Sequence, residues 1–156
     1  MPQNFTQIQQ AFDSQLQTVM NATTVPGISS IVLYTENEVS NFKMQPDTTS
    51  KLMVRATLVP AKTINETLGN LGYVSVNGLY AIDVIGQVNQ GYTAVQLLAD
   101  AVLAAFSRGQ NFQLPNGDTI TINIASPSPN TNQGAWTMKS LYCRQVVVEW
   151  FGYVQP

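Results

Sequence analysis

The final apolar stretch, "MKSLYCRQVVVEWFGYV" (138–154), limits the fold more than any other segment. Successive side chains of a strand point to opposite faces. Read that way, Tyr142, Arg144, Val146, Val148 and Trp150 share one face. Leu141, Cys143, Gln145, Val147, Glu149, Phe151 and Tyr153 share the other. Both faces carry apolar residues, so the segment predicts a central strand, or one covered by a partner.

Other segments supply its neighbours. "ISSIVLYTE" (28–36) is short, β-branched and apolar, and reads as a strand. "KLMVRATLV" (51–59) sets Leu52, Val54, Ala56 and Leu58 against Lys51, Met53, Arg55, Thr57 and Val59, and Pro60 ends it or marks a sheet edge. "YVSVNGLYAIDVIG" (73–86) is strand-like, with Asn77-Gly78 as a bulge or turn. "NFQLPNGDTITINIASP" (111–127) reads as a hairpin turning at Asn116-Gly117. The segments 37–50, 61–72 and 127–137 are polar and read as loops.

Two stretches carry helical spacing. In residues 4–20, capped by Asn4, the apolar positions are Phe5, Ile8, Phe12, Leu16 and Val19. In 92–107, Val95, Leu98, Val102 and Phe106 make one stripe. Leu97, Ala101, Ala104 and Ala105 widen it, which predicts a helix buried on much of its circumference. The expectation is an α+β fold: one domain over residues 1–156, a single mostly antiparallel or mixed sheet, and two helices packed on it. With 44% hydrophobic residues such a chain can bury a proper core.

Charge is scarce. Only 10% of residues are Asp, Glu, Lys or Arg, against about 25% in typical domains. Such a surface repels its neighbours weakly; it fits self-association and a neutral, amide-rich monomer equally. The 7 basic and 9 acidic residues give a net charge of −2, and the basic ones are scattered rather than striped as a nucleic-acid groove requires. The start, "MPQNFTQIQQ", lacks the basic and apolar regions of a signal peptide, and no run reaches the ~20 apolar residues of a membrane span. The N-x-Thr sequons at Asn4, Asn21 and Asn65 then read as accidents of composition.

One motif invites a catalytic reading. Gly86 to Thr93, "GQVNQGYT", has the glycine spacing of a phosphate-binding loop between a strand and a helix. Tyr92 stands where that loop needs a lysine for the terminal phosphates. No apolar strand elsewhere ends in the aspartate that a magnesium site requires, so the glycines read as a sheet-to-helix turn. There is no histidine, which removes imidazole acid–base chemistry and the commonest metal ligand. The single cysteine, Cys143, makes neither a disulfide nor a thiolate cluster and reads as a small buried apolar residue. Glu36 and Glu38 read as solvated. The sequence predicts no enzymatic role, no cofactor and no metal.

The ordered series "LMVRATLVPAKTINETLG" (52–69) and "NGLYAIDVIGQVNQGYTAVQLLADAVLAAFSRG" (77–109) resembles the tail terminator proteins of long-tailed bacteriophages. An Arg- and Pro-bearing strand comes first, then a "TLG" step, a "GLYAIDV" strand, a glycine before a helix, and a closing Phe106-to-Gly109 turn. The leading helix, "YTENEVSNF", the "ASPSP" loop and the long last strand also fit.

The resemblance implies a structural virion protein at the head-proximal end of the tail, made in the host cytoplasm. Such a protein forms a ring, usually of six copies, on the last layer of the tail tube. It stops tube growth and presents a surface for the head. The implied partners are copies of itself, the tail-tube protein and a head-completion or connector protein, with DNA passing non-specifically through the lumen. Lys51, Arg55, Arg108 and Arg144 become candidates for a subunit interface or lumen lining, with Asp83, Asp100 and Glu149 as candidate ion-pair partners. The alternative for each is a solvated surface charge. A head–tail joining protein of the same fold is the neighbouring reading. A small-ligand or carbohydrate module is the other, and would need Tyr34, Tyr73, Tyr80, Tyr92, Trp136 and Trp150 in one exposed pocket.

Overall fold

The structure is a computed structural model, and it describes residues 2–28, 30–34, 51–61, 64–65, 74–87, 92–127 and 141–154. The order of elements is α1 (Pro2–Ala22), β1 (Ser30–Tyr34), β2 (Lys51–Pro60), β3 (Ile64–Asn65), β4 (Val74–Gln87), α2 (Tyr92–Ala105), β5 (Asn111–Gln113), β6 (Thr119–Pro127) and β7 (Leu141–Val154). The strands form one sheet in the order β1-β2-β4-β7-β6-β5, with β3 pairing onto β4. β1 runs parallel to β2 and every other described pair is antiparallel, so the sheet is mixed and the fold is α+β.

The segment that opened the sequence reading lies in the middle. β7 pairs with β4 along its whole length, from Val74 opposite Val154 to Gln87 opposite Leu141, and with β6 on its other side. From Val146 to Tyr153 it has a neighbour on both edges, which suits its apolar character.

Both helices lie on one face of the sheet. From α1 come Ile8, Phe12 and Leu16, four residues apart and fully buried. From α2 come Val95, Leu98, Val102 and, just past its end, Phe106. They meet the even-numbered side chains of β2 (Leu52 to Leu58), β4 (Val74 to Val84) and β7 (Val146 to Val154). The Phe12 ring sits at the centre, 5.1 Å from Tyr80, 5.2 Å from Phe112, and 6.1 Å from both Phe106 and Trp150, between ring centroids. Tilted and edge-on aromatic pairs at these separations add about 0.5–1.5 kcal/mol each beyond area burial. One polar contact enters this cluster: the Tyr80 hydroxyl donates to the Asp13 carboxylate across the α1–β4 seam.

Four expectations change. Asn4 does not cap α1, because the helix begins at Pro2, a residue suited to a first turn whose N–H groups lack helical partners. Asn77-Gly78 is no turn or bulge: β4 runs straight through it, in unbroken register with β2 and β7. Glycine is needed there for space, since a Cβ would fall 2.5 Å from the Val59 carbonyl oxygen and 2.7 Å from Trp150 Cζ2. The polar segment 61–72 contains β3, too short to announce itself in sequence. Finally, the widening of the α2 stripe fails at two positions: Leu97 is 45% exposed and Ala104 is exposed, on a solvent side with Thr93, Gln96 and Asp100.

The hairpin turn does form at Asn116-Gly117, where Gly117 has φ +93°, a conformation that favours glycine. The turn is closed by Leu114 N–H to Asp118 O and by Gly117 N–H to Leu114 O. The segments 37–50 and, beyond Pro127 at the end of β6, 128–137, both read as loops, most of 61–72, and Gly91 of the glycine-spaced motif lie outside the described residues.

Candidate functional site

The odd-numbered side chains of β2, β4 and β7 form the second face of the sheet, opposite the two described helices. Its two ends differ. At one end Arg55, Asp83 and Gln145 stand side by side across three strands, in direct register. Arg55 donates from Nε (3.0 Å) and Nη2 (2.6 Å) to Asp83 Oδ2, and Gln145 Nε2 donates to Asp83 Oδ1 at 3.0 Å. Asp83 is only 6% exposed, and this set of three donors is what lets a carboxylate stay there.

Met53, Ile85 and Cys143, on the same face, are buried around this ladder. Burial, and next the negative charge of Asp83, push the Cys143 thiol up to about 12, although Arg55 pulls the other way. At neutral pH Cys143 is therefore a protonated thiol and a poor nucleophile. Its reading as a small buried residue holds.

The other end is apolar and open. Val59 pairs with Leu79, and Glu149 sits between Leu79 on one side and Ile124 on the other. Phe151 and Tyr153 follow along β7. Val59, Leu79, Ile124, Phe151 and Tyr153 are 39–54% exposed. Ile124 reaches this face through a register shift in β6: Ile122 opposes buried Trp150, yet Ile124 opposes exposed Glu149. One extra residue, Asn123, reverses the alternation, as a β-bulge does. Between the strands runs a shallow groove of about 500 Å³, lined by Ala61, Asn77, Leu79, Asn123, Glu149 and Phe151 among others.

The charged residues singled out from the sequence do not converge on one place. Arg55 and Asp83 are neighbours and bond within the same chain. Glu149 stands at the apolar end of the same face, exposed, with Asn123 Nδ2 3.5 Å from its carboxylate. Arg144 points to the helix-bearing side, where its Nε donates to the Tyr142 hydroxyl at 2.7 Å and its guanidinium lies 5.7 Å from that ring's centre. Asp100 is exposed on α2 and Arg108 is exposed just beyond it. The backbone of Lys51 opens β2 opposite Ser30, and its side chain lies outside the described residues.

Sequence reasoning missed the exposed apolar row of the outer face and the Asp13–Tyr80 bond. The alternation of β7 marked both faces as apolar but carried no sign of which one the helices would cover.

Among the described residues no three of His, Cys, Asp and Glu gather as metal ligands. Among them, too, no helix is long and apolar enough to cross a membrane. Tyr80 and Trp150, two of the aromatics a ligand pocket would need, are buried in the core. Tyr73 and Trp136, and the side chains of Tyr34 and Tyr92, lie outside the described residues.

Comparison with known proteins agrees with the architecture. No curated protein matches the sequence. Several solved chains do match. One is 18% identical, covers 100% of this chain and 99% of its own, and aligns with a TM-score of 0.63, a likeness of fold. A family model described as phage tail terminator protein matches residues 7–150, from the first turns of α1 to the middle of β7. The resemblance read from residues 52–69 and 77–109 thus extends over nearly the whole chain, and the protein belongs to the phage tail terminator family, a structural component of the phage tail.

Proposed function

We propose that this protein assembles as a closed ring, of six copies, on the final layer of the phage tail tube. The ring ends tube growth and offers the surface to which the head attaches. The observation that carries this reading is the open outer face: five large apolar side chains, 39–54% exposed, on one side of a family member with few charges. Contiguous apolar surface of this kind is characteristic of a face that meets protein.

Termination on this reading is steric and involves no bond making. One side of the ring copies the docking surface of a tube subunit, and the other refuses the next. A head-to-tail contact that closes on itself sets the copy number by symmetry. The partners are the tube protein below and a head-completion protein above. DNA passes through the lumen without base-specific contact, and no cofactor takes part. Arg55 is held by Asp83, so it adds little net positive charge to a lumen wall.

The test is growth of purified tail-tube protein with and without this chain, followed by electron microscopy. Tubes that stop short and carry one extra ring at a single end are expected. Tubes of unchanged length, with this protein left in solution, would overturn the reading.

A further inference from the structure

The exposed apolar residues are divided between two opposite sides of the molecule. Among the described residues six large hydrophobic side chains are exposed, and five lie on the outer sheet face. The sixth, Leu97, lies on the solvent side of α2, across the sheet from them. It belongs to a stripe with Thr93, Asp100 and Ala104, all exposed and spaced three or four residues apart, and exposed Arg108 follows in the turn after the helix.

One complementary pair of charges lies on these two sides: among the described side chains Arg108 is the exposed cation, beyond a stripe that also carries Asp100, and Glu149 stands in the outer groove.

We infer that the outer groove receives the α2 stripe of a second copy of this chain, with Leu97 packed on Phe151 and Tyr153 and Arg108 paired with Glu149. The contact joins two different surfaces, so each copy gives one and takes one. Repetition then closes a ring or runs on as a filament. The bulge at Asn123 has a role here, since it turns Ile124 outward to form one wall of the groove. This inference rests on the ring proposed above and specifies which surfaces make it.

Native mass spectrometry over a protein concentration series tests it with four single variants: L97E, F151E, R108E and E149R. All four positions are exposed or nearly so, and circular dichroism checks that each variant folds. The expected result is a ring for the unaltered chain and, for each variant, a shift toward monomer of about tenfold or more in concentration. R108E combined with E149R restores the ring. A mixture of L97E and F151E yields dimers without rings, because each retains one working surface.

Rings that survive all four substitutions would overturn this contact and leave the ring itself standing. Self-pairing of L97E into dimers, with no mixed L97E–F151E dimers from the mixture, would overturn it in favour of sheet against sheet. A monomer at every concentration for the unaltered chain would overturn both the contact and the ring.

Discussion

The same strands present two faces to very different surroundings. On the helix side, Tyr80, Ile82 and Val84 of β4 and Val146, Val148 and Trp150 of β7 are essentially inaccessible. On the other side, residues one step along the chain, such as Leu79, Phe151 and Tyr153, keep 39–54% of their surface in water. Side-chain chemistry alone does not separate the two sets: both hold large aliphatic and aromatic residues, and tyrosine occurs in each. The difference is what packs above them. Apolar side chains under a helix stabilise the monomer, and apolar side chains on an open sheet stabilise a complex.

That contrast can be broken most severely from the core. Phe12→Ala removes the ring that Tyr80, Phe106, Phe112 and Trp150 surround. It should cost about 3–5 kcal/mol, read as a fall in the urea midpoint at unchanged slope. An unchanged midpoint would mean that the aromatic cluster does not hold α1 to the sheet.

The ladder comes next, as the place where the outer face behaves like a core. Asp83→Ala leaves Arg55 and Gln145 without their shared acceptor and should cost about 3 kcal/mol by the same measurement. A double-mutant cycle with Arg55→Ala measures the coupling, and additive effects would show that the pair is solvated rather than structural.

A subtler lever is acid. Burial raises the Asp13 carboxyl above its ordinary value of 3.8, while the hydrogen bond from Tyr80 opposes the rise. A raised carboxyl favours the protonated form in the fold. Its contribution is therefore complete below the unfolded value and is lost as pH rises through the folded one. Asp13→Asn carries no such titration, so its stability relative to the unaltered chain should be greater at pH 7 than at pH 3. Melting curves across that range check it, and a constant difference would contradict the shift.

The smallest effect is expected on the open end. Leu79→Ser should change monomer stability by no more than about 0.5 kcal/mol, because the side chain is already 39% exposed. The informative readout is assembly. Unchanged stability with weakened self-association separates the two faces by function, whereas a large loss of stability would place Leu79 with the core.

Much of the fold is legible before any coordinates. The period of two in 51–59 and 138–154 sorts β2 and β7 into faces that the structure reproduces for the described side chains. The Ile8–Phe12–Leu16 spacing names the buried stripe of α1. Asn116-Gly117 marks its turn because a positive φ is costly for most other residues there. Gly78 carries the opposite lesson: the same Asn-Gly pair, read as a turn or bulge, sits within a straight strand because a buried tryptophan needs the space of a missing Cβ.

The candidate surface is less legible for a related reason. Alternation divides a strand into two faces but says nothing of which one a distant helix will cover. The helical stripe of α2 suggested that Leu97 would be buried, but the width of the cover depends on how the helix rolls against β4 and β7. Ile124 follows the apolar alternation of Ile120 and Ile122, and one bulged residue sends it to the other side. Arg55, Asp83 and Gln145 are far apart in the chain, and only strand register brings them level.

The sequence by itself determined where the strands and helices lie and which side chains share a face, because those depend on local periodicity. Tertiary structure decided which apolar face is covered, which charges meet and which leucine stays in water. Those outcomes depend on pairings between residues dozens of positions apart, which no local pattern records.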